Sequence, residues 1–435
     1  MSSRGIKKST VLAVSAISTC LLLIGPQGML VSLVNLLLSS VVFIYPPAAV
    51  PMILASSISS SISLFNHLAA VFYYLLIFFA AQMVRGGFKL HITKSRAYVY
   101  LLVFFLWLFL CAVKSPTGEI YSTVRLFLFL LLSWLVAESG SITYSKCVEA
   151  VMIVAPVCLA VCSAKMLLFP SKYIVEGQYF TFIRDSIADH INPNQFAQYV
   201  AVLCVMSFIG ILKKRRWLYA VTLFLAVVLL FVTKSRTSFY GALGICFLYF
   251  ILEFRMPVRQ KAAVIACAAL LTIVPIVNVI RDGGAGSASS TDEKSIGVSS
   301  VIEDAGSGRF FTWVEVFSDV LPSHPVFGIG IGKENYQAVG MEFDSDDLYV
   351  DLLAETGIPG FFLFFLFFFR FLNEVRRKVK VRNGDESMVY LLLIMLLFGI
   401  GETIFDSQFF WTIVFFGMLL LRNNGPRRAI NAISQ

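Results

Sequence analysis

The sequence predicts an all-α polytopic membrane protein with about 12 to 14 transmembrane helices, and three observations lead to this prediction. Of the 435 residues, 58% are hydrophobic and 14% are charged, whereas a soluble domain carries about 25% charged residues. Apolar runs long enough to cross about 30 Å of hydrocarbon recur along the whole chain. Basic residues fall in blocks between those runs, as they do in the cytoplasmic loops of membrane proteins.

The predicted spans follow the apolar runs in chain order. The stretch 27–65 is interrupted by "YPPAAVP", so it holds either two helices or one helix and a re-entrant piece. The resulting spans lie at about residues 10–25, 29–46, 47–63, 66–84, 97–113, 121–138, 147–169, 194–212, 217–233, 238–252, 262–280, 350–369, 388–404 and 406–421.

The basic blocks predict the orientation of the chain. Lysine and arginine gather in cytoplasmic loops, and this rule places both termini and every large basic block in the cytoplasm. The outer face is left with the loop at about 170–193, the connection 233–238 and the long loop from about 281 to 349. These bounds divide the chain into a helical bundle at 1–280, a long outer loop at 281–349, and C-terminal helices with a cytoplasmic tail at 350–435.

The long outer loop changes in character along its length. Its first part, "RDGGAGSASSTDEKSIGVSS", is rich in Gly, Ser and Asp, a composition typical of mobile segments. The stretch "GRFFTWVEVFSDVL" (308–321) predicts a short amphipathic helix near the membrane surface. "HPVFGIGIGKENY" (324–336) follows as a turn-rich connection.

Several features exclude other classes of site. The net charge of +9 does not indicate nucleic acid, because the basic residues lie in the cytoplasmic loops. The eight cysteines lie in or beside apolar segments, and we expect them to be small packing residues. His190 and His324 lack partners at ligand spacing. The sequence therefore predicts no metal site and no cofactor.

Three arginines are predicted on the outer face, against the general charge distribution. Arg236 lies in the short connection "KSRTS", Arg309 opens the amphipathic helix, and Arg184 precedes "HINPNQF". The arginine fork donates two hydrogen bonds at once and stays charged, which suits phosphate. The three residues indicate an anionic ligand such as a lipid diphosphate, or alternatively contacts with headgroups and structural ion pairs.

An acidic stretch leads into the span that begins near residue 350. Asp347, Asp351 and Glu355 are spaced i, i+4, i+8, so they share one helix face, and at membrane depth such a stripe must face a polar cavity or a cation. One of Asp346 and Asp347 suits the N-cap of the helix. The adjacent pair also suits a base that takes a proton from a hydroxyl.

A second acidic pair lies between the last two spans. The stretch "GETIFDS" carries Glu402 and Asp406. We expect the two residues either to line the outer mouth of the bundle or to cap turns.

Four motifs appear in order along the C-terminal half of the chain. They are "NPNQFAQY" (192–199), "TKSRTSFYGAL" (233–243), "GSGRFFTW" with "HPVFGIGIGKENY" (306–336) and "DDLYVDLLAETGIPG" (346–360). With these motifs the chain resembles the bacterial O-antigen polymerase and O-antigen ligase superfamily. The resemblance implies a metal-independent glycosyltransferase of the bacterial inner membrane. It implies a GT-C-like helical bundle whose site faces the periplasm, and a glycan on undecaprenyl diphosphate as donor.

The resemblance also implies roles for particular residues. Arg236 and Arg309 match the arginines that hold the diphosphate, and Asp346 stands where ligases carry a histidine, which makes it the candidate base. Asp347 stands where ligases carry an asparagine. The catalytic candidates are therefore Asp346, Arg236 and Arg309, and the substrate-binding candidates are Arg184, Asn192, Asn194, Asp347, Tyr349 and Glu355.

The missing histidine favours a polymerase of surface polysaccharide repeat units, for O-antigen, capsule or exopolysaccharide. The nearest alternative is a ligase that passes a finished glycan to lipid A-core or protein. A transporter of lipid-linked sugars is a third reading, and a pure scaffold is a fourth. The expected partners are undecaprenyl-diphosphate-linked oligosaccharides and membrane lipids, with a chain-length regulator and a flippase implied by the resemblance, and no nucleic acid.

Overall fold

The computed structural model describes most of the chain in thirteen segments. The described residues are 7–24, 29–58, 70–86, 94–118, 120–139, 143–168, 191–214, 216–233, 235–253, 309–341, 347–382, 386–400 and 407–422. The chain divides into two compact units. One comprises Met1–Ile245 with Thr312–Gln435, and the other comprises Cys246–Phe311, of which the described residues are all helical.

All regular structure in the described residues is helical, which confirms the predicted fold class. In chain order the α-helices are α1 Lys8–Ile24, α2 Met29–Ser39, α3 Ala49–Ser56, α4 Ala70–Gly86, α5 Arg96–Lys114, α6 Tyr121–Ser139, α7 Tyr144–Leu168, α8 Pro193–Lys214, α9 Trp217–Thr233, α10 Arg236–Glu253, α11 Arg309–Glu315, α12 Lys333–Ala338, α13 Leu348–Arg382, α14 Ser387–Phe398 and α15 Gln408–Arg422.

Most of these helices agree with the predicted spans to within a few residues. Within the described part of the chain, five helices are long and apolar enough to cross a membrane, and seven shorter apolar helices accompany them. The protein is therefore a multi-pass membrane protein. The span predicted at 262–280 lies outside the described residues.

The stretch around "YPPAAVP" forms two separate helical pieces. A 3₁₀ turn at Ser40–Phe43 ends the first piece, and a second 3₁₀ turn at Pro46–Ala48 leads into α3. All eight residues of α3 are buried. The structure thus bears out the break at the prolines, where the missing backbone N–H groups and the fixed φ interrupt an α-helix.

Two local predictions need correction. The span predicted to end near Arg370 continues as α13 to Arg382, so the basic stretch assigned to a loop is helical. Its lysines and arginines are good helix formers, and a helix can extend beyond the hydrocarbon. The turn-rich connection after residue 324 also contains a helix, α12. A helix, α11, lies where the amphipathic helix was predicted, and it continues as a π-helix at Val316–Val320. Its place near the membrane surface stays a prediction.

The cysteines behave as packing residues in the described part of the chain. Seven of them are free thiols there, and five of those are buried. Cys267 lies outside the described residues.

Helices α8 and α14 run antiparallel and define the two ends of the bundle. At one end, Lys213 near the end of α8 pairs with Glu386 just before α14, with 2.8 Å between Nζ and Oε2. The first residues of α8 and the last residues of α14 therefore both lie away from this end. Basic residues of α13, including Arg376 and Arg377, belong to the Lys213 end, which we call the basic end.

Candidate functional site

Helix α13 begins at the end of the bundle opposite the basic end, and Asp347 caps it. The Asp347 Oδ1 atom accepts hydrogen bonds from the backbone N–H groups of Tyr349 and Val350, at 2.8 and 3.1 Å. This is the geometry of an N-cap, which contributes about 1 kcal/mol to a helix. The Leu348 N–H donates to the Gly399 carbonyl at 2.8 Å. The start of α13 is thereby joined to the residue that follows α14.

The acidic stripe lies on one buried face of α13, as predicted. Asp347 is 3% exposed, Asp351 is 0% exposed and Glu355 is 6% exposed. The Tyr336 hydroxyl donates to Asp351 Oδ1 at 2.9 Å, and the Gly332 N–H lies 3.4 Å from Glu355 Oε1. Residues 309–341 are called the outer segment here, after their predicted orientation. Hydrogen-bond donors from this segment therefore reach carboxylates that would be costly to bury without partners.

The helix kinks at Gly357, and the carbonyl groups before the kink find new donors. Gly357 has a φ of 67°, which a residue with a side chain rarely adopts. The Ala354 and Glu355 carbonyls accept from Ile329 and Gly330, both at 2.9 Å. The Thr356 carbonyl accepts from the Trp107 indole, also at 2.9 Å. Backbone groups that the kink removes from the helix are thus satisfied by the outer loop and by α5.

Glycines in the outer loop allow its backbone to lie directly against α13. Gly328 has a φ of 62°, and a Cβ built on it would fall 2.4 Å from the Ala354 carbonyl oxygen. A Cβ on Gly357 would fall 2.2 Å from the Val326 carbonyl oxygen. Both contacts are closer than any side chain permits, so the approach of the two backbones requires glycine at both positions.

A small hydrophobic cluster fixes the outer segment to the first turns of α13. Trp313 and Val339 pack against it. Its buried members are Val316, Val320, Ile329, Tyr336, Met341, Val350 and Ala354.

Asn335 joins the outer segment to the connection after α5. Its Oδ1 atom accepts a hydrogen bond from the Thr117 hydroxyl at 2.7 Å, and its amide donates to the Ile331 carbonyl at 3.1 Å. The Trp107 ring stacks on Phe327 with 5.2 Å between centroids. Sequence reasoning missed Asn335 and Trp107, because no local pattern connects residues more than 200 positions apart, and it missed Tyr336, which lies 15 positions from Asp351 in a separate helix.

Several predicted site residues lie at the same end of the bundle. Tyr349 donates from its hydroxyl to the Leu396 carbonyl of α14 at 2.7 Å. A Cβ on Gly241, in the second turn of α10, would lie 3.2 Å from a ring carbon of Phe398 in α14. Arg236, the first residue of α10, therefore lies near the end of α14 that also holds the start of α13.

Arg236 is exposed, whereas Ser235 and Ser238 beside it are buried. Ser235 and Ser238 are 4% and 1% exposed, and the Ser235 hydroxyl donates to that of Ser238 at 3.1 Å. The hydrogen bond between these two buried serines lies within the first turn of α10. Arg236 itself is exposed and is available to an anionic group.

The asparagines of "NPNQFAQY" begin α8, at the end of that helix away from Lys213. The Asn192 side-chain oxygen accepts from the Asn194 N–H at 2.8 Å, so Asn192 caps the helix. Asn192 is exposed and Asn194 is partly buried. Contacts with α14 therefore bring Asp347, Tyr349 and the first turns of α10, which begins at Arg236, close together, and Asn192 and Asn194 lie at the start of α8.

Other predicted site residues cannot be placed. Asp346, Arg184, Glu402 and Asp406 lie outside the described residues. Arg309 begins α11, and its side chain is also outside the description.

A comparison with protein families finds a match to the part of the chain that contains most of this arrangement. Residues 221–365 match the family model described as O-Antigen ligase, a stretch that contains Arg236, the outer segment and the start of α13. The match covers about a third of the chain and confirms the resemblance to the O-antigen polymerase and ligase superfamily. A search of curated proteins found no match. The family supports an O-antigen polymerase or ligase type of function and a membrane glycosyltransferase-like enzyme.

Proposed function

We propose that the protein polymerises the repeat units of a surface polysaccharide in the bacterial inner membrane. The donor is a glycan on undecaprenyl diphosphate, and the acceptor is a sugar hydroxyl of a second lipid-linked repeat unit. The observation that carries the proposal is the position of Arg236 at the start of α10, which packs against the last turn of α14 beside the capped start of α13. An exposed arginine near the capped start of α13 suits a lipid-linked, charged substrate.

The diphosphate is bound by Arg236 in this proposal, and the family resemblance gives Arg309 the same role. Arginine donates two parallel hydrogen bonds to phosphate oxygens and stays charged. As the bond between the anomeric carbon and the diphosphate breaks, negative charge grows on the leaving undecaprenyl diphosphate. Fixed positive groups at that position stabilise the transition state, and removal of one such group costs about 10²–10³ in rate.

Asp346 is the base of this proposal. The acceptor hydroxyl attacks the anomeric carbon with inversion, a new glycosidic bond forms, and the hydroxyl proton passes to the Asp346 carboxylate. Its neighbour Asp347 is less suited to the role, because one of its oxygens accepts two backbone N–H groups at the start of α13. A base must have an oxygen directed at the proton that it removes.

A ligase is the second candidate, and the family description favours it. Against it, Asp346 and Asp347 stand where ligases carry histidine and asparagine. The two functions share the donor and differ in the acceptor, since a polymerase transfers to another lipid-linked repeat and a ligase to lipid A-core or protein.

Reconstitution separates the two candidates. The protein is placed in lipid nanodiscs with undecaprenyl-diphosphate-linked repeat units as sole substrate, and product length is followed on a gel. We expect a ladder of lengthening products, which Asp346→Asn abolishes and which the control Asp319→Asn, at an exposed aspartate of the outer segment, leaves intact. Absence of a ladder, with transfer once lipid A-core is added, would identify a ligase instead.

A further inference from the structure

A groove between α5 and α6 lies away from the site described above. It has a volume of about 700 Å³, within the range of about 300–1,000 Å³ found for ligand sites. Its walls are mostly apolar and its mouth is basic. The residues around it are Lys94, Ser95, Arg96, Tyr98, Val99, Leu101, Leu102, Phe105, Phe127, Leu130, Leu131 and Trp134.

Helices α5 and α6 touch at the end of the groove that is farther from the basic end, and they separate toward the basic end. Phe127 of α6 contacts Phe105 and Phe109 of α5, with 5.8 and 5.7 Å between ring centroids. From Phe105 to Arg96 the helix descends about 14 Å at 1.5 Å per residue. This is close to half of the roughly 30 Å hydrocarbon core, so the groove has the depth of one leaflet.

The open end of the groove carries two exposed cations in a fixed position. Glu374 of α13 accepts hydrogen bonds from the Ser95 hydroxyl at 2.6 Å and from the Ala97 N–H at 3.3 Å, which holds the start of α5 in place. Within the described part of the chain, no ion pair of Lys94 or Arg96 with a carboxylate is found. Trp134 lies at the same level, where indole rings sit among lipid headgroups.

We propose that this groove binds an anionic phospholipid of the leaflet at the basic end of the bundle. One or both acyl chains lie between α5 and α6, and the headgroup phosphate lies at Lys94 and Arg96. Basic pockets between transmembrane helices on the cytoplasmic side bind anionic headgroups in this way.

The position of the groove separates this lipid from the lipid-linked substrate. Arg96 begins α5 beside Glu374 of α13, whereas Lys114 ends it near Thr117, which bonds Asn335 of the outer segment. The cations therefore lie at the basic end, across the bundle from Arg236 and Asp347. The diphosphate of a lipid-linked substrate bound at Arg236 lies in the other leaflet.

Competition between lipids of different charge tests the proposal. The purified protein is mixed with equal amounts of phosphatidylglycerol and phosphatidylcholine that have the same acyl chains, and bound lipid is counted by native mass spectrometry. We expect a preference for phosphatidylglycerol on the order of tenfold, because each surface cation contributes a few-fold. We expect the double variant Lys94→Gln/Arg96→Gln to lose it.

Two control variants make the result specific, one matched to the charge variant and one matched to a variant that fills the groove. Arg376→Gln/Arg377→Gln removes the same charge from exposed residues at the same end and should keep the preference. Leu131→Trp fills the groove and should reduce binding of both lipids, whereas Leu106→Trp, on an exposed part of α5 outside the groove, should not.

Three results would overturn the proposal. The first is equal binding of the two lipids. The second is an equal loss in the two charge variants, which would indicate general surface charge. The third is displacement of phosphatidylglycerol by an equal concentration of polyprenyl phosphate, together with loss of polyprenyl phosphate binding in Leu131→Trp. That result would assign the groove to an isoprenoid chain.

Discussion

At the residue scale, the pair formed by Tyr336 and Asp351 shows how the acidic stripe is stabilised. Asp351 is fully buried, and the Tyr336 hydroxyl that donates to it is carried by the outer segment. A hydrogen bond to a charged group contributes about 1.5–3 kcal/mol. The carboxylate thus links the stability of α13 to the docking of the outer segment.

Removal of this hydroxyl tests that link. We expect Tyr336→Phe to lower the free energy of unfolding by about 1–3 kcal/mol, because Asp351 loses a donor in a buried place. Unfolding in detergent, followed by circular dichroism, measures the change. Tyr240→Phe removes a hydroxyl from an exposed residue and should have little effect. Equal effects in the two variants would contradict the role given to Tyr336.

At the element scale, the outer loop depends on glycines for its contact with α13. Gly328 and Gly340 both have positive φ, 62° and 87°. A Cβ at Gly328 would lie against the backbone of α13, whereas a Cβ at Gly340 would meet nothing within 4 Å. The two positions separate the cost of the backbone conformation from the cost of steric overlap.

We expect Gly340→Ala to cost about 1–2 kcal/mol, the price of a left-handed conformation for a residue with a side chain. Gly328→Ala adds a steric clash to that cost, so it should destabilise the protein clearly more and lower polymer synthesis in cells. Thermal unfolding and the amount of surface polysaccharide provide the two measurements. If Gly328→Ala were no worse than Gly340→Ala, the close approach of loop and helix would be wrong.

At the scale of the whole molecule, the orientation in the membrane remains a prediction from the basic residues. It places Ser323 of the outer segment in the periplasm and Arg376 of α13 in the cytoplasm. We expect Ser323→Cys to react with a membrane-impermeant maleimide in intact spheroplasts, and we expect Arg376→Cys to react only after the spheroplasts are lysed. Both residues are exposed, so access of the reagent depends on the side of the membrane. The reverse pattern would invert the topology.

The helices could be predicted from the sequence, because an apolar run of sufficient length has one stable state in lipid. The face shared by Asp347, Asp351 and Glu355 followed from helical spacing in the same way. The end of α13 at Arg382 could not, because hydropathy marks where a chain leaves the membrane and says nothing about where its helix stops. The bond between Thr117 and Asn335 joins segments far apart in sequence, and only the folded chain shows it.

The most direct test of the account compares two arginines that each stand at the start of a helix. Arg236 begins α10 at the proposed site, and Arg216 precedes α9 at the basic end; both are exposed. Glycan transfer from undecaprenyl-diphosphate-linked repeat units is measured in nanodiscs for Arg236→Ala and Arg216→Ala at equal protein amounts. The account predicts a loss of about 10²–10³ for Arg236→Ala and an unchanged rate for Arg216→Ala. Full activity in Arg236→Ala, or equal losses in both variants, would contradict it.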